Sequence, residues 1–363
     1  MKSTLSNKIL KLKKRQSDLA RSKVLKPKKF DEHSGKNNQN DLRYHEESPG
    51  NLAQEHFSLP RPTGVRPSER VPVILETIAN GDYALIDSGN GRKLERYGAY
   101  NIIRPEGQAL WQPALDELVW QNADAVFTGN TDEEGIGRWF FPKTVLGETW
   151  PMAWNNLHFW GRFTSFRHVG VFPEQQAHWL YLEELVFKAE KPVRILNLFG
   201  YTGLASLIAA RAGGEVTHVD ASKKAILWAR ENQAQSGLID KPIRWICEDA
   251  LKFVLRELRR GRSYDIILLD PPAYGRGPNG EVWQLFEHLA PMINACRGIL
   301  SQRPIAVILT AYTIRASFFA LHALMRDCFT GLGGQVESGE LILREDSANR
   351  ALSTSLFSRW SAL

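Results

Sequence analysis

The chain has 363 residues, long enough for about two structural units with a buried core. Its 43% hydrophobic and 24% charged content is that of a soluble protein, and no run approaches the ~18 consecutive apolar residues of a membrane-spanning helix. Three cysteines without CxxC spacing, Cys247, Cys296 and Cys328, exclude a disulfide framework, and no metal site is expected. The N-terminus lacks the apolar core of a secretory signal, so a reducing cytoplasm is the expected location. The net charge of +6 is unevenly placed. Residues 1–68 carry 15 Lys+Arg against 7 Asp+Glu, and the remainder 31 against 33. Any polyanion attraction therefore belongs to the tail and not to the near-neutral remainder.

Residues 1–68 are polar and poor in aromatics, with Ile9, Leu10 and Leu12 set among Lys8, Lys11, Lys13, Lys14 and Arg15. Such a segment buries too little surface to offset its ordering entropy, so a disordered tail is expected, with a short basic helix near residues 5–22. Three readings stay open for it: an electrostatic arm for RNA or another anionic surface, a solvated tail without a specific role, and a transit peptide.

Residues 69–160 read as a smaller β-rich domain. The apolar run 71–79 ends at Asn80-Gly81-Asp82, a hairpin-type turn signal. Residues 83–87 form a second strand before the turn Ser88-Gly89-Asn90-Gly91, and residues 137–142 an aromatic third. Six tryptophans fall here: Trp111, Trp120, Trp139, Trp150, Trp154 and Trp160. Burial in a core is the expected role for them, with base stacking as the alternative.

Residues 161–363 change to strand–helix alternation. Strands are expected at 193–199, 216–219, 243–247, 266–269 and 305–309, and helices at 204–211, 223–235, 250–260, 282–300 and 314–329. Repeated βα units give a parallel sheet covered on both faces. Residues 336–344 and 353–360 are two strands without a helix between them, which predicts a terminal antiparallel hairpin.

The chemistry lies at the ends of four strands. The first turn reads Asn197-Leu198-Phe199-Gly200-Tyr201-Thr202-Gly203-Leu204, with glycines that permit a sharp turn and close approach of a ligand to the main chain. It lacks GxGxxG spacing, so a ligand bearing a carboxylate and an amine fits better than a pyrophosphate. Asp220, in Val219-Asp220-Ala221-Ser222, ends the second strand where an acid accepts from a ribose diol; the alternative is a helix cap, a role that falls to Ser222. Asp249, in Cys247-Glu248-Asp249-Ala250, either contacts an adenine amino group or caps its helix. The fourth strand ends in Asp270-Pro271-Pro272-Ala273-Tyr274, a stiff loop with an acid at the strand tip. Asp270 is placed to orient an amino nucleophile, Pro271 to offer a carbonyl and Tyr274 to stack on a flat ring.

The array NLFGYTG, VDAS, CEDA, LDPPAYG resembles the class I S-adenosyl-L-methionine (AdoMet)-dependent methyltransferases. More narrowly, it is similar to the bacterial large-subunit ribosomal RNA methyltransferases that make 5-methylcytosine or 7-methylguanine. The resemblance covers about residues 160–363. It implies a Rossmann-like, doubly wound seven-stranded sheet of order 3-2-1-4-5-7-6 with strand 7 antiparallel. It also implies that Phe199, Gly200, Tyr201, Thr202, Gly203, Asp220, Ala221, Ser222, Glu248, Asp249, Ala250 and Asp270 border AdoMet. Residues 166–175 stand where the family closes a short segment over the methionine end, which adds Gln175; Pro173-Glu174-Gln175 replaces the family's frequent Leu-Asp-Gln or Leu-Asp-His. Asp270, Pro271, Pro272 and Tyr274 are the implied catalytic set, and ribosomal RNA the implied partner.

One departure matters. Cytosine C5 is activated by attack of a thiolate, which in the similar branch follows the fifth strand. Here that position reads Ile308-Leu309-Thr310-Ala311-Tyr312-Thr313, without cysteine. A nitrogen has its own lone pair and needs no covalent catalyst, so a nitrogen target is expected, with Thr310 and Tyr312 on the substrate side. The Trp-rich region and the basic tail stand in place of the family's N-terminal RNA-binding module. Competing classes are a protein or small-molecule methyltransferase, kept by the near-neutral folded part, and a non-catalytic RNA-binding protein, opposed by the intact Asp220 and Asp270. A nicotinamide-dependent dehydrogenase is disfavoured by the missing glycine spacing.

Overall fold

The computed structural model describes residues 60–129, 137–312 and 316–362. The tail helix expected near residues 5–22 lies outside the described residues. The last residues before 69 are held in place, in contrast to the disorder expected up to 68. The Val65 carbonyl accepts from Gly331 N, Arg326 donates to the Pro67 carbonyl, and Arg66 pairs with Asp327 at 2.6 Å.

Strand β1 (Ser68–Thr77) leads through a tight turn at Asn80 to β2 (Tyr83–Gly89). The turn forms, but the hairpin expected from it does not. Instead β2 pairs with β3 (Arg92–Tyr97) across Asn90-Gly91, both left-handed (φ 51° and 72°), the backbone that a two-residue hairpin requires. β4 (Tyr100–Pro105), the one-turn helix α1 (Glu117–Gln121), β5 (Ala125–Gly129) and β6 (Gly137–Phe140) complete a five-stranded sheet, and β7 (Thr149–Trp154) and β8 (Leu157–Arg162) form a separate hairpin. Trp120, Trp150 and Trp154 are buried and Trp111, Trp139 and Trp160 half-buried, so packing is their main role.

The second part runs α2 (Gln176–Lys188), β9 (Arg194–Leu198), α3 (Leu204–Arg211), β10 (Glu215–Asp220), α4 (Lys223–Gln235), β11 (Ile243–Cys247), α5 (Ala250–Arg259) and β12 (Ile266–Leu269). It continues with β13 (Tyr274–Arg276), β14 (Val282–Gln284), α6 (Leu285–Gly298), β15 (Ala306–Tyr312), α7 (Phe318–Cys328), β16 (Gln335–Arg344) and β17 (Ala351–Ser361). The large sheet has the order β1-β16-β17-β15-β12-β9-β10-β11, with β17 antiparallel to both neighbours. Counted from β9 along β10, β11, β12, β15, β16 and β17, this is 3-2-1-4-5-7-6. β1 adds an eighth strand, parallel to β16. A division at residue 160 therefore cuts across the sheet. β1 reaches β16 because of Gly339, where a Cβ would lie 1.7 Å from the Val73 carbonyl oxygen.

The strand expected at 305–309 runs on to Tyr312, and the starts of two helices differ from expectation. Residues 282–284 are not the first turn of a helix; they pair antiparallel with β13, and the helix starts at Leu285. The helix expected from residue 314 begins at Phe318, where the Ser317 hydroxyl accepts from Phe319 N at 3.2 Å.

Alternation along the strands fills both faces of the sheet. Leu196, Leu198, Ile267, Leu269, Val307 and Leu309 pack with residues of α5, α6 and α7. Ile195, Ile266, Leu268, Ala306 and Ile308 pack with Leu182, Leu185 and Val186 of α2 and with Ala209 and Ala210 of α3. Among the described residues, no helix is long and apolar enough to cross a membrane.

Candidate active site

Four strand ends meet along one edge. Leu198 lies opposite both Val219 and Leu269, and Asp220 opposite Cys247. The turns after β9, β10, β11 and β12 therefore emerge side by side, where open sheets bind ligands.

The first turn is tightly constrained. Phe199, Tyr201 and Gly203 are all left-handed, with φ of 56°, 49° and 84°. For Phe199 and Tyr201 this costs on the order of 1–2 kcal/mol each. Two hydrogen bonds offset the strain: Gly200 N donates to the Val219 carbonyl at 3.1 Å and Tyr201 N to Asp220 Oδ2 at 2.9 Å. Gly200 is required for space, since a Cβ there would meet His218 Cε1 at 2.4 Å and Asn197 Nδ2 at 2.9 Å. Thr202 Oγ1 donates to the Gly170 carbonyl at 2.7 Å, which ties the turn to the 166–175 segment.

Asp220 accepts from Tyr201 N through one oxygen and from Ser222 N, at 2.8 Å, through the other. Each oxygen keeps one acceptor position. Burial pushes this carboxyl above its usual range, against the pull of the two amides. The cap of α4 is made by Ser222, whose hydroxyl accepts from Ala225 N at 3.2 Å, so Asp220 is not used as one. Asp249 does cap α5, accepting from Lys252 N at 2.9 Å. Its neighbour Glu248 pairs with Arg256. Asp249→Ala is thus expected to lower stability by about 1 kcal/mol, read from denaturant midpoints. Unchanged stability would leave Asp249 with a ligand role alone.

At the tip of β12, Asp270 Oδ2 accepts from Gln175 Nε2 at 3.0 Å, and Thr310 Oγ1 donates to Gln175 Oε1 at 3.3 Å. Gln175 thereby bridges the 166–175 segment to the ends of β12 and β15. Desolvation, followed by the neighbouring Glu174 carboxylate, raises Asp270 to about 7, and the Gln175 bond opposes both. Pro271 is buried, while Tyr274 is 46% exposed on β13. The Pro272 carbonyl is occupied: Trp283 Nε1 donates to it at 2.7 Å, and the same indole packs on Phe199 with ring centroids 4.8 Å apart.

The β-rich region braces the 166–175 segment. Arg104 binds both oxygens of buried Glu95, at 2.7 and 2.9 Å, and donates to the Arg167 carbonyl at 3.0 Å. Tyr201 and His168 meet through the phenol oxygen and Nδ1 at 3.0 Å. Between the 166–175 segment and the sheet lies a cavity. Of the residues expected at the site, Gln175, Phe199, Gly200, Tyr201, Thr202, Asp270 and Thr310 line it. Gly203, Asp220, Ala221, Ser222, Glu248, Asp249 and Ala250 flank it at the neighbouring strand ends without lining it, and Pro271, Pro272 and Tyr274 leave along the loop to β13. Three participants were not legible in the sequence: Trp283 sat inside an expected helix, Arg104 carried no motif, and His178, also in the cavity wall, lies on α2, a helix that was not among the expected elements.

Cys296 and Cys328 are buried on α6 and α7, away from the edge, and burial pushes both thiols up, Cys328 to about 11. Cys247 sits at the β11 tip, with Sγ 3.5 Å from the Ala221 carbonyl.

Comparison with known proteins agrees with this architecture. The family described as "Conserved hypothetical protein 95" matches residues 183–292. Ribosomal RNA large subunit methyltransferase K/L of Shewanella sp. (strain MR-4) is 34% identical over 120 residues, 32% of this chain. The Shewanella oneidensis protein of the same name is 34% identical over 119 residues. The match spans 16% of the length of these curated relatives. A solved structure from Streptococcus mutans, 15% identical with a TM-score of 0.59 over 77% of this chain and 75% of that one, shares the fold. The SAM-dependent methyltransferase from Agrobacterium tumefaciens is 60% identical, with a TM-score of 0.82 over 85% of this chain and 99% of that one. Identity of that level along nearly the whole of that protein, on the same arrangement of strand ends, means that this chain belongs to the SAM-dependent methyltransferases, with S-adenosylmethionine as its cofactor.

Proposed function

We propose that this chain methylates a nitrogen of a ribosomal RNA base. The observation that carries the reading is the Asp270 carboxyl, held by Gln175 at the β12 tip at the start of a stiff Pro-Pro loop, with no thiol at the end of β15. The names of the curated relatives support ribosomal RNA as the substrate class.

The residues present fit the cofactor. Asp220 keeps two acceptor positions suited to a ribose diol. Gly200 leaves the main chain bare where a side chain would collide with His218. When bound, S-adenosylmethionine supplies an activated methyl group on a sulfonium, itself a good leaving group. The protein's own part is orientation and proton handling. Asp270 accepts a hydrogen bond from the amino group of the base, which aims the nitrogen lone pair. As the nitrogen becomes cationic, Asp270 takes its proton, a role suited to a carboxyl raised to about 7. Pro271 and Pro272 keep the loop extended, with Trp283 fixing the second carbonyl. The exposed Tyr274 ring offers a stacking face for a base.

The test is transfer of a methyl label from S-adenosylmethionine to ribosomal RNA, followed by digestion to nucleosides. Label in an N-methylated nucleoside is the expected result. Label in 5-methylcytosine, or only in protein or a small molecule, would overturn the proposal.

A further inference from the structure

Buried polar atoms without partners are scarce in proteins, and each one calls for a physical reason. Among the described residues, His178 departs furthest from that rule. Its side chain is 1% exposed, and neither ring nitrogen has a hydrogen-bond partner. The other buried histidine below the glycine turn, His218, keeps one nitrogen on Ser206 Oγ at 3.0 Å. The ring of His178 is fixed by packing, edge-to-face on Phe357 at 5.3 Å, a contact that uses neither nitrogen.

Place and chemistry then converge. His178 lies in the first turn of α2 and lines the same cavity as Gly200, Gln175, Asp270 and Thr310. Desolvation, aided by the Arg359 charge, holds its pKa down to about 3, so the ring is neutral at ordinary pH. A neutral imidazole carries one donor nitrogen and one acceptor nitrogen. Asp220, the group suited to a ribose, stands at the β10 end, on the side of β9 away from β12. A ligand laid from Asp220 across the Gly200 turn enters the cavity with its far end. In S-adenosylmethionine that end is an α-carboxylate and an α-ammonium, an acceptor beside a donor.

We propose that His178 is a polar contact for the amino-acid end of S-adenosylmethionine, donating from one ring nitrogen to the α-carboxylate. The inference rests on the cofactor assignment and adds a binding residue to it. The burial then serves a purpose: a neutral ring recognises a zwitterion without bringing a net charge close to the reacting sulfonium.

Two ligands test it. S-adenosylhomocysteine keeps the amino-acid end, and 5′-methylthioadenosine lacks it. Calorimetric titration of the full chain with each, in wild type and in His178→Leu, separates this contact from the rest of the site. The expected result is a roughly 10–100-fold weaker affinity for S-adenosylhomocysteine, the scale of a hydrogen bond to a charged group, and no change beyond about twofold for methylthioadenosine. His178→Asn, which restores a donor and an acceptor in a smaller volume, should recover part of the loss and guards against a folding defect in the Leu variant. An equal loss for both ligands would overturn the proposal by making His178 a shaper of the cavity. No loss for either would overturn it by leaving the space to water. Failure of the wild type to bind either ligand would instead sink the cofactor assignment, and this inference with it.

Discussion

Asp270→Asn is expected to lower kcat for methyl transfer about 10²–10⁴-fold, with S-adenosylmethionine affinity changed no more than about threefold. The amide keeps the shape and still offers an oxygen to Gln175 Nε2, so the bridge to Thr310 survives. What is lost is the group that takes a proton. The pH profile provides the sharper readout. Asp270 is raised to about 7, by desolvation first and by the Glu174 carboxylate second. A raised carboxyl is protonated below that value and competent as a base above it. The rate should therefore rise with pH up to about 7 and level off beyond it. In Asp270→Asn that limb should vanish. In Glu174→Gln, which removes a negative neighbour, the limb should move toward acid. A limb that persists in Asp270→Asn would assign the proton acceptor to another group.

This edge was only partly readable before folding. The bounds of α3 and α4 follow from local chemistry: Gly203 precedes one, and the Ser222 hydroxyl caps the other. The four apolar residues of β12 could only be a buried strand, and the acids at the strand ends fell where parallel pairing brings them together. Non-local pairing was not readable. β1 joins β16 across nearly three-quarters of the chain, and its local signal, an apolar run before Asn-Gly-Asp, argued for the wrong partner. Residues 282–284 continue the pattern of the helix that follows, and only pairing with β13 makes them a strand. That misreading hid Trp283, whose indole restrains the Pro272 carbonyl. The support at Arg104 has the same origin. Its guanidinium is buried because Glu95, Tyr97 and the Arg167 carbonyl surround it, and no sequence spacing announces a partner 63 residues away. His178 is the extreme case: no element was expected over residues 176–188, and a lone histidine there gives no sign of the cavity that the folded helix places beside it.

Gly200→Ala is expected to weaken S-adenosylmethionine binding by more than about 100-fold and to destabilise the apoprotein by about 1–3 kcal/mol, the usual cost of overpacking. The neighbours that a new Cβ would meet have nowhere to go. His218 is fully buried, Asn197 nearly so, and both are tied to the same Ser206 hydroxyl, at 3.0 and 2.9 Å. The turn must lift instead. Its two flanking residues, Phe199 and Tyr201, are already left-handed, held by Gly200 N on the Val219 carbonyl and by Tyr201 N on Asp220. Lifting the turn breaks that bond, and with it the fixed orientation of the carboxylate proposed to hold the ribose. Asp220→Ala offers the contrast: it removes the acceptor but introduces no clash, so affinity should fall with a much smaller loss of stability. Thermal unfolding with and without S-adenosylmethionine separates the two variants. Wild type at a ligand concentration about 100-fold above Kd gains about 2.7 kcal/mol. Both variants should lose that gain, and only Gly200→Ala should also start from a markedly lower midpoint. A Gly200→Ala protein that kept the full ligand-induced shift would mean that the turn after β9 is not the cradle of the cofactor.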